Sequence, residues 1–111
     1  MSEKLEQKLV CRLEPITRNS DRELLDPLIG KVTYVEEVGS TWYGMLERIG
    51  ARFLCFREVI IPDDSLDYSA MKQFARNYQE AVKNNNAESW NLTRISVLYK
   101  NKREISTLIE L

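Results

Sequence analysis

Residues 31–61 read KVTYVEEVGSTWYGMLERIGARFLCFREVII. Apolar and polar residues alternate with a period of two around Gly39 and Gly50, a pattern typical of strands joined by short turns. Strands are therefore predicted over three ranges, Lys31–Glu37, Thr41–Ile49 and Arg52–Ile61. Because the connections are very short, we expect an antiparallel meander, which Pro62 ends.

A helix and two further strands are predicted after the meander. One apolar stripe with helical spacing comprises Met71, Phe74, Ala75, Tyr78 and Val82. Asp67 or Ser69 is a suitable N-cap for this helix, and the asparagines at 84–86 are suitable for its end. Two apolar segments on either side of a basic turn then predict strands over Trp90–Tyr99 and Glu104–Leu111.

The sequence leaves the secondary structure of part of the N-terminal region open. Apolar residues within 3–13 fit either a short amphipathic helix or a strand. Ser20 and Glu23 have the spacing of a capping box, which predicts a short helix over Asp21–Ile29. The predicted order is helix, three strands, helix and two strands in a single domain over 1–111, with an N-terminal extension at 1–19.

Composition indicates an ordinary globular protein. The chain has 111 residues, 43% of them apolar and 30% charged. No apolar run approaches the roughly 20 residues that cross a bilayer, and the N-terminus lacks a signal-peptide core, so we expect a soluble cytoplasmic protein without membrane contact. With 16 basic and 17 acidic residues, the net charge of −1 provides no global positive field, so nucleic-acid binding needs a local basic patch.

The residues offer little for catalysis or for a bound cofactor. There is no histidine, and Cys11 and Cys55 are too few for a structural zinc site. Neither a Walker loop nor a dinucleotide-binding glycine motif is present. We therefore expect no enzyme activity, no cofactor and no metal.

Two features stand out as candidate binding elements. The aromatic pair Trp42-Tyr43 and the pair Phe53 and Phe56 lie on neighbouring strands, where adjacent residues face opposite sides. The turn Lys100–Arg103 carries three positive charges between two apolar strands. It fits either a solvated turn or a site that contacts phosphate.

Several short stretches resemble the Sm and LSm family, most closely its bacterial Hfq-type members. These stretches are LDPLIGKV at 25–32, TWYGMLERI at 41–49, RFLCF at 52–56, VLYK at 97–100 and ISTLI at 105–109. The resemblance implies a mainly β fold: a strongly bent, five-stranded antiparallel barrel with an N-terminal helix. The region 62–89, with its helix, is an insertion between the third and fourth of these strands.

The resemblance also implies a function and a site. It implies an RNA-binding or ribonucleoprotein-assembly module that forms a ring through its edge strands, with 90–99 as the candidate edge. A base would lie against Phe53, near Arg52 and the turn after Tyr99. The full set of implied RNA-binding residues is Arg52, Phe53, Tyr99, Lys100, Asn101, Lys102 and Arg103.

The sequence departs from the family pattern near this site, and a second function stays open. Gly50 and Arg52 stand where the family usually has an acidic residue and an asparagine, and no histidine follows Lys100. The alternative is a protein-binding inhibitor, such as a toxin-immunity protein or a phage-encoded antagonist. That protein would bind its partner through the helix at 67–83 and an acidic surface.

Overall fold

The computed structural model describes residues 9–12 and 25–111. In these residues the chain forms six strands and one α-helix. The elements are β1 (Leu9–Arg12), β2 (Val32–Glu37), β3 (Ser40–Ile49), β4 (Phe53–Pro62), α1 (Tyr68–Lys83), β5 (Leu92–Asn101) and β6 (Ile105–Glu110). Short 3-10 turns lie at Asp26–Leu28, Ala87–Ser89 and Lys102–Glu104.

All six strands belong to one barrel-like sheet with the order β1-β6-β2-β3-β4-β5. Every neighbouring pair is antiparallel. The predicted mainly β class and the five antiparallel strands of the region 31–111 are confirmed, with bounds within about two residues of those expected.

The sheet encloses one core and carries a second on its outer face. Side chains from β2, β3, β4 and β6 meet on the inner face, where the Trp42 ring packs edge-on against Phe56 at a centroid distance of 4.8 Å. Tyr43, the neighbour of Trp42, instead lies in the outer core with Tyr34 and Met71. Strand alternation therefore sends the two adjacent aromatic residues into two different cores.

A bend in β4 gives the sheet its curvature. Phe56 and Val59 both lie in the inner core although they are three residues apart, so the side-chain alternation shifts between them. Glu58 lies at this point with φ of 51°, and the β3–β4 register shifts there. Gly44 faces the bend, and a Cβ added to it would lie 2.9 Å from Val59 Cγ2, so glycine is needed for this close approach.

Helix α1 covers the half of the outer face beyond the bend. The Asp67 side chain accepts a hydrogen bond from the Ala70 backbone N–H at 2.8 Å and caps the helix, as expected from the sequence. The predicted apolar stripe faces the sheet except at its end: Met71 and Tyr78 are buried, whereas Val82 is half-exposed. Phe74 packs edge-on against Trp90 at 5.2 Å.

The N-terminal expectation needs correction where the structure describes it. Residues 26–28, inside the helix predicted over Asp21–Ile29, form a 3-10 turn, and residues 21–24 lie outside the described residues. Pro27 explains the difference because it supplies no N–H and disfavours the helical conformation at Asp26. Of the range 3–13, residues 9–12 form strand β1, one of the two alternatives, and the remainder lies outside the described residues.

Candidate nucleic-acid interface

The β4–β5 ladder determines which of the predicted RNA-binding residues share a face. Phe53 lies opposite Asn101, and Cys55 lies opposite Tyr99. Residues directly opposite each other in a ladder project to the same side, and so do residues two apart in one strand. Phe53, Tyr99 and Asn101 therefore lie together on the outer face, in the half that α1 leaves uncovered.

Two aromatic rings on this face are open to solvent. Phe53 is 47% exposed and Tyr99 is 57% exposed, whereas most aromatic residues of the described chain are packed in the two cores. Both rings border a shallow cavity of about 340 Å³. Large apolar surface left open beside a cavity is the usual mark of a binding surface.

Arg48 is a residue of this surface that sequence reasoning missed. It lies on β3 opposite Cys55, and its Nη2 donates a hydrogen bond to the Tyr99 hydroxyl at 3.3 Å. A register shift in β3 between Leu46 and Arg48 brings it to this position. Periodicity alone does not reveal such a bulge, so the sequence carried no clear signal for Arg48.

Arg52 and Arg103 are cations at the chain positions just before β4 and just after β5. Arg52 precedes Phe53, and its carbonyl accepts a hydrogen bond from the Lys102 backbone N–H at 2.8 Å, which fixes the end of β4 against the turn after β5. Both arginines are exposed, and neither forms an ion pair with any residue that the structure describes. We call Arg48, Arg52, Phe53, Tyr99 and Arg103 the aromatic–arginine surface.

Lys100 does not lie with this group. It faces the opposite side of the sheet from Tyr99, where its Nζ forms an ion pair with Glu37 Oε1 at 2.9 Å. The side chains of Lys100 and Glu37 are only 21% and 14% exposed, and Glu37 also accepts a hydrogen bond from the Trp42 indole. The position of Lys100 therefore favours a role in stability over phosphate contact.

Asn101 and Lys102 belong to the turn after β5 and contribute to its structure. The Asn101 side chain accepts a hydrogen bond from the Arg103 backbone N–H at 2.9 Å, and the Glu104 side chain accepts one from the Asn101 backbone N–H at 3.1 Å. This reciprocal capping box holds the turn. Lys102 is only 7% exposed, so a lysine expected at an open hairpin tip is in fact buried.

An ion pair between Arg57 and Glu47 lies next to the surface. Arg57 Nε lies 2.6 Å from Glu47 Oε2, and the Cys55 thiol donates to Glu47 Oε1 at 3.6 Å. The hydrogen bond from Arg57 lowers the pKa of the Glu47 carboxyl, with smaller contributions from Cys55 and Arg48. Glu47 is therefore anionic and is paired mainly with Arg57, and its charge also interacts with Arg48.

No family model matches the chain, and a search of the curated proteins finds no match. Among residues 9–12 and 25–111, no three metal-ligating side chains come together, and the helices there are too short or too polar to cross a bilayer.

Proposed function

We propose that this chain is a binding module for single-stranded RNA and that the aromatic–arginine surface holds the RNA. The observation that carries the proposal is the position of two half-exposed rings on one uncovered face, with Arg48 hydrogen-bonded to one of them. Bases stack on aromatic rings, and guanidinium groups contact both phosphates and base planes. The proposed activity is binding without catalysis.

Energetics and the Sm resemblance both support this proposal. Stacking on one ring contributes about 1–3 kcal/mol per base, so two rings supply about 2–6 kcal/mol of the roughly 8 kcal/mol that micromolar binding requires. The resemblance implies a barrel of five antiparallel strands, and five strands of the region 31–111 form a barrel-like antiparallel sheet. In this proposal Arg48 takes the place of Lys100 and Lys102 as the cationic contact, because Lys100 is paired with Glu37 and Lys102 is buried.

Ring assembly is a further part of the Sm-like proposal, and strand β1 bears on it. Strand β5 has β4 as its only neighbour in the described sheet, so one edge is available for pairing with another copy. The opposite edge belongs to β1, which covers β6. A ring in which β5 of one copy pairs with β6 of the next therefore requires that β1 leave β6.

The alternative function, a protein-binding inhibitor acting through 67–83, has weaker support. The apolar stripe of α1 packs on the sheet, where Met71, Tyr78 and Ala81 are buried. The exposed side of the helix mixes both charges, with Arg76, Glu80 and Lys83 among its residues. It offers neither an apolar face nor an acidic surface to a partner.

The test is a fluorescence-anisotropy titration with short labelled U-rich and A-rich RNA at several salt concentrations. We expect Phe53→Ala and Tyr99→Ala each to weaken binding by about 1–3 kcal/mol, because each removes one stacking platform. Arg48→Gln should weaken binding and reduce the slope of log K against log salt by roughly 0.7 for one lost phosphate contact.

Lys83→Gln is the matched control because it removes one exposed positive charge from the end of α1. We expect it to leave the affinity nearly unchanged. The proposal fails if the wild-type chain shows no RNA binding at low salt. It also fails if the two aromatic substitutions have no larger effect than Lys83→Gln while circular dichroism shows that the variants are folded.

A further inference from the structure

A groove between α1 and the sheet lies apart from the aromatic–arginine surface. Its volume is about 430 Å³, within the range of small-molecule sites. Helix α1 forms one wall, and β2, β3 and β4 form the other. Apolar side chains that line it are Val32, Ile60, Ala75, Val82 and Leu111.

Part of this apolar lining is open to solvent. Val32 is 45% exposed and Val82 is 50% exposed, although both lie beside the outer core. An apolar ligand body that covered these two side chains would remove their surface from water, which is favourable. The groove therefore suits a ligand with an apolar part.

Beside the groove, the Tyr43 hydroxyl provides a polar group that a ligand can contact. Tyr43 is only 9% exposed and lines the groove, yet its hydroxyl has no hydrogen-bond partner among the described residues. The hydroxyls of its outer-core neighbours are all partnered: Tyr34 with Glu36 and Leu66, Tyr68 with Glu110, and Tyr78 with Arg94.

Tyr43 lines the groove, and its hydroxyl is partly open to solvent. No fully buried polar side-chain atom of the described residues lacks a partner, so this unpartnered oxygen must keep some contact with solvent. Burial, with a smaller contribution from Tyr78, raises the pKa of Tyr43 to about 12. The hydroxyl therefore keeps its proton at neutral pH and is a hydrogen-bond donor with no acceptor among the described residues.

Charged side chains also line the groove, and cations outnumber anions. Lys72 and Arg76 come from α1, and Glu58 comes from the bend of β4. Lys72 and Arg76 form no ion pair with a described residue, although Lys72 Nζ lies 5.6 Å from the centre of the Tyr68 ring. The two unpaired cations favour an anionic group on the ligand.

We propose that this groove binds a small amphipathic carboxylate. The apolar body covers Val32 and Val82, and the carboxylate accepts the hydrogen bond that Tyr43 offers. The flexible side chains of Lys72 and Arg76 pair with the same carboxylate, and Glu58 opposes its charge. The opposed effects of Arg76 and Glu58 give the proposal a signature that nonspecific apolar binding lacks.

The experiment uses decanoate as the probe, with decan-1-ol as the uncharged analogue and acetate as the analogue without an apolar body. Binding is measured by calorimetry and by amide chemical-shift changes on the full chain. We expect decanoate to bind more tightly than decan-1-ol, acetate not to bind measurably, and the largest shifts to occur in α1 and β3.

Four variants test the roles of the side chains. Tyr43→Phe keeps the ring and should weaken decanoate binding at least about tenfold, the effect of one lost hydrogen bond to a charged group. Arg76→Gln should weaken it about threefold, and Glu58→Gln should strengthen it about threefold, since partly exposed charges interact modestly. Phe53→Ala, on the aromatic–arginine surface, should have no effect.

The proposal is overturned if decan-1-ol binds as tightly as decanoate and Tyr43→Phe changes neither affinity. Shifts confined to the aromatic–arginine surface would overturn it as well, because they would place decanoate at the other site. If Arg76→Gln and Glu58→Gln change the affinity in the same direction, the carboxylate does not lie among these charges, and the proposal is also wrong.

Discussion

Glu58 is the residue at which the backbone departs furthest from what its side chain favours. Its φ of 51° is in the left-handed region, which costs an L-residue roughly 1–2 kcal/mol relative to its preferred conformations. Glycine adopts this conformation without that cost but loses more conformational entropy on folding. We therefore predict that Glu58→Gly raises the free energy of unfolding by about 0.5–1 kcal/mol, measured by urea denaturation.

Asn85 provides the matched control because it also has a positive φ, of 58°, at the end of α1. Asparagine tolerates the left-handed region better than glutamate does, so Asn85→Gly should stabilise less than Glu58→Gly. If Glu58→Gly leaves the chain unchanged or less stable, the bend in β4 is held by interactions of the Glu58 side chain and not by the backbone.

At the same scale, sequence reasoning located the RNA-binding candidates in the chain but did not sort them by face. Tyr99 and Lys100 are adjacent in β5, so their side chains point to opposite sides of the sheet. The run Tyr99–Arg103 therefore could not form one continuous site. Which of them faces out depends on the ladder with β4. Arg48 was missed for a related reason, since its position depends on a bulge that leaves no periodic signal.

Helix α1 is the element whose packing the sequence predicted most completely. Phe74 is half-buried and contacts the rings of both Tyr78 and Trp90. Removing its ring leaves a gap between the helix and the segment before β5, so Phe74→Ala should lower the free energy of unfolding by about 2–4 kcal/mol. Thermal and urea unfolding followed by circular dichroism measure this loss.

The control for this variant is Lys83→Ala, at an exposed position in the last turn of the same helix. It should change the stability by less than about 0.5 kcal/mol, as most surface substitutions do. A loss below about 1 kcal/mol for Phe74→Ala would mean that the ring contributes little to docking α1 on the sheet. That result would favour the alternative in which this helix binds a partner.

Helices and strands were predicted accurately where the apolar residues follow one clear period. The prediction was poor around Asp26 and Pro27, where the residues of a turn set the local structure. The alternation of β2 to β4 and the stripe of α1 each gave the correct element, because burial on one face imposes the period on the sequence. Around Asp26 and Pro27 the apolar residues also fit a helix. There the proline limits the backbone to a 3-10 turn, and the buried Leu25 and Leu28 satisfy the core without a longer helix.

For the molecule as a whole, buried tyrosines predict sensitivity to alkali. Burial raises the pKa of Tyr43 to about 12, and burial together with Glu36 raises the pKa of Tyr34 further. In the unfolded chain the pKa of tyrosine is about 10. Above that pH the folded state holds more protons than the unfolded state, so the free energy of unfolding should fall as the pH rises from about 10 to 12.

Each retained proton contributes a slope of at most about 1.4 kcal/mol per pH unit in this window. Tyr43→Phe removes one of them and should make the decrease with pH less steep. Urea titrations at pH 9, 10 and 11 and absorbance at 295 nm measure the slope and the ionisation. Equal slopes for the wild-type chain and for Tyr43→Phe would show that Tyr43 titrates as it does in the unfolded state.

The two edge strands of the sheet, β1 and β5, determine how copies of the chain can assemble. Strand β1 spans four residues and pairs with β6 through a register shift between Leu9 and Cys11, whereas the free strand β5 spans ten residues. A longer strand without that irregularity offers more hydrogen bonds to the β6 edge, so β5 of another copy is a stronger partner once β1 is removed.

We therefore predict that the full chain is monomeric and that deletion of residues 1–12 produces a ring-sized oligomer, measured by light scattering and sedimentation over a range of concentrations. Val97→Lys in the shortened chain is the control, because a lysine at this exposed position of β5 opposes edge pairing and should restore the monomer. A shortened chain that is folded and monomeric at every concentration would rule out pairing between β5 and β6. An oligomeric full chain would show that β1 does not block assembly, and in either case RNA binding by the aromatic–arginine surface is tested independently.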